Sequence, residues 1–157
     1  MLAGFFALCV FGLIMFKIAR ATPPSGVTST LLVGPVVFDE INAMSQTPTH
    51  GALLLTRGTS DVFIAHIKIA PGGNTGWHSH PGIALVTIAA GTATEYDGDD
   101  CDAAPIVHKA GTGFAEEAGH VHLVRNEGDT DLEMVVVFLV PFGDGTRIDE
   151  SAPDCSH

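Results

Sequence analysis

The sequence predicts an all-β, single-domain protein, a small barrel or sandwich of short antiparallel strands. Three observations predict it. The length of 157 residues suits about one domain. The chain is a succession of short β-rich runs separated by glycine-containing turns. Outside the N-terminus no helical apolar stripe exceeds ten residues.

In chain order the runs are Leu31–Phe38, Ala52–Thr56, Asp61–Ala70, Ile83–Ala89, Thr92–Tyr96, Ile106–Lys109, His120–Asn126 and Leu132–Leu139. Turns at Arg57-Gly58-Thr59, Pro71-Gly72-Gly73, Ala90-Gly91, Asp97-Gly98-Asp99, Gly111-Thr112-Gly113 and Glu127-Gly128-Asp129 separate them. Within Asp61–Ala70, residues Val62, Ile64, His66 and Lys68 share one face. The other face carries Phe63, Ala65, Ile67 and Ile69 and is wholly apolar, as a half-buried strand requires. Leu132–Val140 is nearly continuous in apolar residues and predicts a strand buried on both sides. The barrel is expected over residues 30–145, after a Pro/Ser/Thr/Gly-rich linker at 22–29 and before a tail at 146–157.

Residues 1–16 (MLAGFFALCVFGLIMF) carry no charged or hydrogen-bonding side chain. As a helix they span about 24 Å, short of a bilayer core of about 30 Å. Ala19-Arg20-Ala21 follows as a small-x-small site, with Pro23-Pro24 behind it, so residues 1–21 read as a signal peptide cleaved after Ala21. This predicts a secreted or periplasmic protein. Lys17 and Arg20 lie after the apolar run rather than before it, which leaves a membrane anchor formed by residues 1–16 as the alternative. Cleavage removes both cations and no acid, moving the net charge from −11 to −13. Such a chain lacks the basic footprint that nucleic-acid binding needs. Cys9 leaves with the leader, so Cys101 and Cys155 remain, either as one disulfide tying the tail to the domain or as two separate thiols.

Eight histidines are the oddity of the composition. They include two H-x-H pairs, His78-Ser79-His80 and His120-Val121-His122. On a strand, residues i and i+2 point to one face, so each pair can present two imidazoles side by side. A third imidazole from a neighbouring strand would complete a facial set with open positions. On spacing alone, a metal site and solvated or hydrogen-bonded histidines are equally open.

The glycine framework around these pairs resembles the cupin superfamily. Its first motif reads G-x5-H-x-H-x3,4-E-x6-G, matched here by Gly72, His78, His80 and Gly91. Its second reads G-x5-P-x-G-x2-H-x3-N, matched by Gly111, Gly119, His122 and Asn126. The resemblance runs from about Ala52 to Val140 and implies a cupin-type double-stranded β-helix, a jelly-roll barrel. It further implies a divalent transition metal (Fe, Mn, Zn, Ni or Cu) held by His78, His80 and His122. Two positions depart from the pattern. The motif-one carboxylate belongs at 84 or 85, which are Ala84 and Leu85, and the motif-two proline position holds Glu117. Three ligands are therefore implied in place of the usual four, as in family members that are iron-dependent dioxygenases.

His120 shares a face with His122 if both lie in one strand, as a fourth ligand, a partner orienting a ligand, a proton shuttle or a barrel-lining residue without metal contact. Glu116 and Glu117 read as a solvated turn from which a carboxylate could reach the barrel mouth. Tyr96 and Trp77 could line a pocket but read as core. The acidic run at 97–102 fails calcium-loop spacing and reads as a hairpin tip. His50, His66, His108 and His157 match no motif position. No G-x-S-x-G, C-x-x-C or dinucleotide fingerprint occurs. Two functions follow: a metalloenzyme, oxygenase-like, on a small organic substrate, or a non-catalytic module binding a metal or small ligand. The partners expected are a small molecule and no nucleic acid, with a homodimer left open.

Overall fold

The computed structural model describes residues 21–154, and none of them is helical. The strands are β1 (Ser25–Phe38), β2 (Asn42–Gln46), β3 (Gly51–Leu55), β4 (Ser60–Asn74), β5 (His78–Ser79), β6 (Ile83–Ala90), β7 (Thr92–Asp97), β8 (Ile106–Lys109), β9 (Gly113–Glu116), β10 (His122–Arg125), β11 (Leu132–Pro141) and β12 (Ile148–Asp149). Ten of them form one hydrogen-bonded network that folds as two sheets. One runs β1-β4-β11-β6-β9 and the other β12-β5-β10-β7-β8. They join where Arg125 of β10 pairs with Asn74 at the end of β4. The all-β double-stranded β-helix is the architecture observed. β2 and β3 form a separate hairpin in which every residue is exposed.

The core lies between the sheets. β4 contributes Ala65 and Ile69, β6 contributes Ala84, Val86 and Ile88, and β7 and β10 contribute Ala93 and Val124. β11 supplies Leu132, Met134, Val136, Phe138 and Val140. The alternation expected in β4 therefore holds, with Phe63 and Ile67 packed against the same core. β11 departs from expectation, because it is not buried on both sides. Glu133, Val135, Val137 and Leu139 face outward and are half-buried. Its outward face is rich in valine because β11 is central, paired with both β4 and β6, where β-branched side chains suit the pleat. Gly91, the closing glycine of motif one, has φ +75, and a Cβ there would meet the Asp131 carbonyl oxygen at 2.6 Å.

Both expected boundaries shift. The stretch taken as a linker is mostly strand, since β1 begins at Ser25 and Val27, Thr28 and Ser29 pair with Ile69, Lys68 and Ile67. Serine and threonine read as turn residues, but the β4 ladder supplies partners for their backbone, and Gly26 (φ +65) absorbs the irregularity at the start. The tail is likewise partly sheet. Ile148 and Asp149 of β12 pair with Ser79 and His78 of β5. The Trp77 backbone N–H donates to Thr22 Oγ1 at 2.7 Å, and Ser79 Oγ donates to Glu150 Oε1 at 2.8 Å. Residues from both ends of the barrel thus clasp β5. The sequence also left β2, β5 and β9 unassigned. The expected leader and Cys155 lie outside the described residues. Among the described residues no helix is long and apolar enough to cross a membrane.

Candidate metal centre

β5 and β10 meet at the rung His78↔His122, and His80 follows β5 directly. The three imidazoles are buried, at 5%, 4% and 0% exposure for His78, His80 and His122. Their ring centroids are 4.9 Å apart for His78 and His80, 4.3 Å for His78 and His122, and 5.2 Å for His80 and His122. One ring nitrogen from each lies within 4.8 Å of the others.

Main-chain carbonyls set the orientation of each ring. His78 Nδ1 bonds the Gly76 carbonyl at 3.0 Å, His80 Nδ1 the Thr146 carbonyl at 2.5 Å, and His122 Nδ1 the His120 carbonyl at 3.0 Å. A carbonyl can only accept, so each Nδ1 carries the proton and donates it. A neutral ring then has its lone pair on Nε2. Gly76 holds φ +66, and a Cβ there would lie 2.1 Å from the Thr22 carbonyl oxygen, so this turn requires glycine.

A carboxylate lies against two of the three imidazoles. Glu116 ends β9, is 5% exposed, and stands opposite Ala84 in the β6–β9 ladder. Its Oε2 is 3.1 Å from His80 Nε2 and its Oε1 is 3.0 Å from His122 Nε2. His122 Nε2 is nevertheless buried without an aligned hydrogen bond. Imidazole lone pairs and an acidic side chain thus converge on one place, and only a proton or a cation between them relieves the clash of acceptors. Three mutually close imidazole nitrogens are a donor set that divalent transition metals accept, so His78, His80 and His122 fit such an ion, with the Glu116 carboxylate beside two of them.

The groups of the cluster shift in opposite directions. Burial pushes the Glu116 carboxyl up, but the imidazoles of His122 and His80 outweigh it and hold the pKa down to about 2. Burial lowers His78 to about 2, helped by the positive charge of His122, Arg147 and His80, so its imidazole stays neutral. At His122 burial opposes the charged form, yet the Glu116 carboxylate prevails and raises its pKa.

His120 does not join the three nitrogens. Its Nε2 is 3.2 Å from Asp97 Oδ1 and 4.0 Å from Asp99 Oδ2, while its ring stacks 5.7 Å from that of His122. Its carbonyl orients His122, and the acid beside the imidazoles is Glu116. Glu117 is exposed, as a turn residue should be, but Glu116 is not, which corrects the expectation of a solvated turn at both positions. The strand alternation could have found it. Phe114 packs against the core, and Glu116, two residues on, shares its face. His66 pairs with Glu133 at 3.1 Å and His108 with Glu95 at 2.8 Å, both away from the centre.

A cavity of about 510 Å³ opens beside His78 and His80. Its walls include Val27, Leu31, Phe63, Ala65, Ile67 and Phe138. Neither Tyr96 nor Trp77 lines it.

Comparison with known proteins bears on the fold that carries this site. The family model described as "Cupin domain" matches residues 65–138. No curated protein matches. Among solved structures, the polyketide cyclase RemF from Streptomyces resistomycificus is similar over 90% of this chain and 88% of its own, with TM-score 0.56 and 13% identity. A cupin superfamily protein from Desulfitobacterium hafniense is similar over 73% of this chain and 77% of its own, with TM-score 0.47 and 18% identity. A protein of unknown function from Streptococcus pyogenes is similar over 87% and 91%, with TM-score 0.49 and 21% identity.

Proposed function

Residues 65–138 make the chain a member of the cupin superfamily, and on that premise we propose a metal-dependent enzyme of small organic molecules. It would hold one divalent transition-metal ion through His78, His80, His122 and Glu116. The observation that carries this reading is the set of three Nδ1–carbonyl bonds, which turns three buried Nε2 lone pairs toward one another and toward Glu116.

A bound ion would supply Lewis acidity and open coordination positions. The protein's own groups do the rest. Three neutral imidazoles leave the ion's charge intact, and Glu116 offsets one unit of it. The Gly76, Thr146 and His120 carbonyls fix the ring planes. Phe63, Ala65, Ile67 and Phe138 give the cavity an apolar wall that excludes water from one side of the centre. An oxygenase-like reaction is the class we infer.

Elemental analysis of protein purified without chelator should find about one transition-metal ion per chain, and oxygen consumption with candidate substrates should depend on it. Absence of metal after reconstitution overturns the proposal. The second reading is a binding module without catalysis. It is favoured by one observation, that among the described residues no carboxylate lines the cavity to act as a general base. Metal-loaded protein that retains small molecules unchanged would establish it.

Export belongs to the same proposal, supported by the apolar segment 1–16 and the Ala19-Arg20-Ala21 site. Sequencing of the mature protein should begin at Thr22; an N-terminus at Met1 in a membrane fraction favours the anchor. In the exported form Cys101 and Cys155 should be bridged, so thiol labelling of unreduced protein should find no reactive cysteine.

A further inference from the structure

The cavity beside the centre is chemically one-sided. The chain has 18 acidic and 7 basic side chains, yet among the described residues the cavity is lined by no Asp or Glu and by one cation, Arg147. Its apolar wall is one sheet, with Val27 and Leu31 of β1, Phe63, Ala65 and Ile67 of β4 and Phe138 of β11, and His78 and His80 also line it.

Backbone pairing holds Arg147 there. Ile148 and Asp149 pair with Ser79 and His78, so the next rung of the same antiparallel register brings Arg147 toward His80. The carbonyl of the preceding residue, Thr146, is the acceptor for His80 Nδ1. The guanidinium is therefore carried by the segment that orients a ligand, and the spacing between the two is built into the backbone.

The guanidinium is anchored at one atom and free at another. Nε donates to Asp149 Oδ1 at 2.6 Å, which fixes the head. Nη2 is buried and has no hydrogen-bond partner. A buried donor without an acceptor is costly, and a charged one more so. The side chain lines the cavity and is 30% exposed, so a ligand oxygen there can meet the guanidinium and, with a small turn of the head, take up Nη2.

We propose that the substrate is a small monocarboxylic acid with an apolar body, whose carboxylate is bound by Arg147 while its hydrocarbon lies along Phe63, Ala65, Ile67 and Phe138. A carboxylate matches the planar guanidinium, and charge-assisted bonds of this kind are about twice as strong as neutral ones. The guanidinium is already paired with the Asp149 carboxylate and has one free donor group, which suits a single carboxylate and no more highly charged group. A phosphate ester, with three oxygens and up to two charges, would find too few donors and would meet the negative net charge of the chain. The apolar lining sets the body, and the neighbouring imidazoles place the carbons next to the carboxylate at the centre. The inference names the substrate class of the site proposed above and rests on that reading for its chemistry, but the binding step itself belongs to Arg147.

The test is calorimetry on the full chain, both zinc-loaded and chelated, with hexanoate and phenylacetate as probes, each against its own amide. The acid should bind about tenfold or more tightly than the amide. Arg147→Met should abolish that preference, Arg147→Lys should keep part of it, and zinc content should stay the same in both variants. Acid and amide binding alike, no binding of either acid, or an undiminished preference in Arg147→Met would each overturn the proposal. The comparison of acid with amide uses the unmutated protein, so a variant that misfolds cannot obscure the result. The acid preference surviving in a protein that takes up no zinc would refute the metal centre and leave the carboxylate site standing. Zinc uptake without an acid preference would do the reverse.

Discussion

Glu116 stands directly across the β6–β9 ladder from Ala84, so the acid beside His80 and His122 comes from the strand next to the one where the family pattern puts it. Side chains facing each other in an antiparallel pair have their Cβ atoms about 4.5–5.5 Å apart. A long acidic side chain at either position can thus reach the same point between His80 and His122.

Glu116→Gln should therefore weaken metal binding by about 10–100-fold, because the oxygen remains and the charge is lost. Glu116→Ala should weaken it further. Adding Ala84→Glu to Glu116→Ala should recover part of the loss, since the new side chain grows into the space vacated. Competition with a chelating dye measures all three. Affinity unchanged in Glu116→Ala would show that the carboxylate plays no part.

His80→Ala and His122→Ala should remove the metal and leave the barrel folded, because the core cluster and not the ion holds the sheets together. His120→Ala should cost 10-fold or less, at the low end of the range of about 10–100-fold for a residue that orients a ligand. Its carbonyl, the part that binds His122, survives the substitution. His66→Ala and His108→Ala should leave metal content unchanged. Elemental analysis with circular dichroism on each variant separates loss of metal from loss of fold.

Acid should weaken metal binding through His122. Burial alone would lower its pKa, but Glu116 raises it above the ordinary 6.5, so a proton competes for Nε2 from near-neutral pH downward. Below the raised value, affinity should fall about tenfold per pH unit for each proton displaced. His78, neutral down to about 2, adds none in this range. In chelated protein the same pair acts on stability with two signs. The Glu116 contribution is present above 4.5 and lost as pH falls toward about 2. The His122 contribution is present below 6.5 and lost as pH rises through its raised value. Chelated protein should therefore gain most from this pair between 4.5 and 6.5, which urea midpoints across that window would show. An affinity for zinc that stays flat on acidification would contradict the assignment.

Asn126, in the second motif, should matter for folding and not for metal. It is fully buried, its Nδ2 donates to the Ile69 and Thr130 carbonyls at 2.8 Å each, and its Oδ1 accepts from the Gly128 N–H at 3.1 Å. Asn126→Ala should cost about 3 kcal/mol in urea unfolding by leaving buried groups without partners, with metal stoichiometry unchanged.

The sequence exposed the barrel and the three histidines because both are written in short-range pattern. Alternation in Asp61–Ala70 marks a strand face, and an H-x-H pair marks two rings on one side. Glu116 was obscured because its partner, Ala84, lies thirty-two positions away, and strand pairing is not visible in spacing along the chain. Ser25–Ser29 and Ile148–Asp149 were missed for a related reason. Their composition is that of turns, and only pairing with β4 and β5 makes them strands. Nothing in the neighbourhood of Arg147 along the chain announces a cavity.

The three bonds that aim the imidazoles all end on main-chain oxygens, at Gly76, Thr146 and His120. No point substitution deletes a carbonyl. The aim of the ligands is consequently insulated from drift in the side chains at two of these positions, while the third tolerates only glycine because of its turn. A lineage carrying this centre can exchange residues 120 and 146 freely and keep the histidines pointed, so the heritable part of the site is smaller than its chemistry suggests.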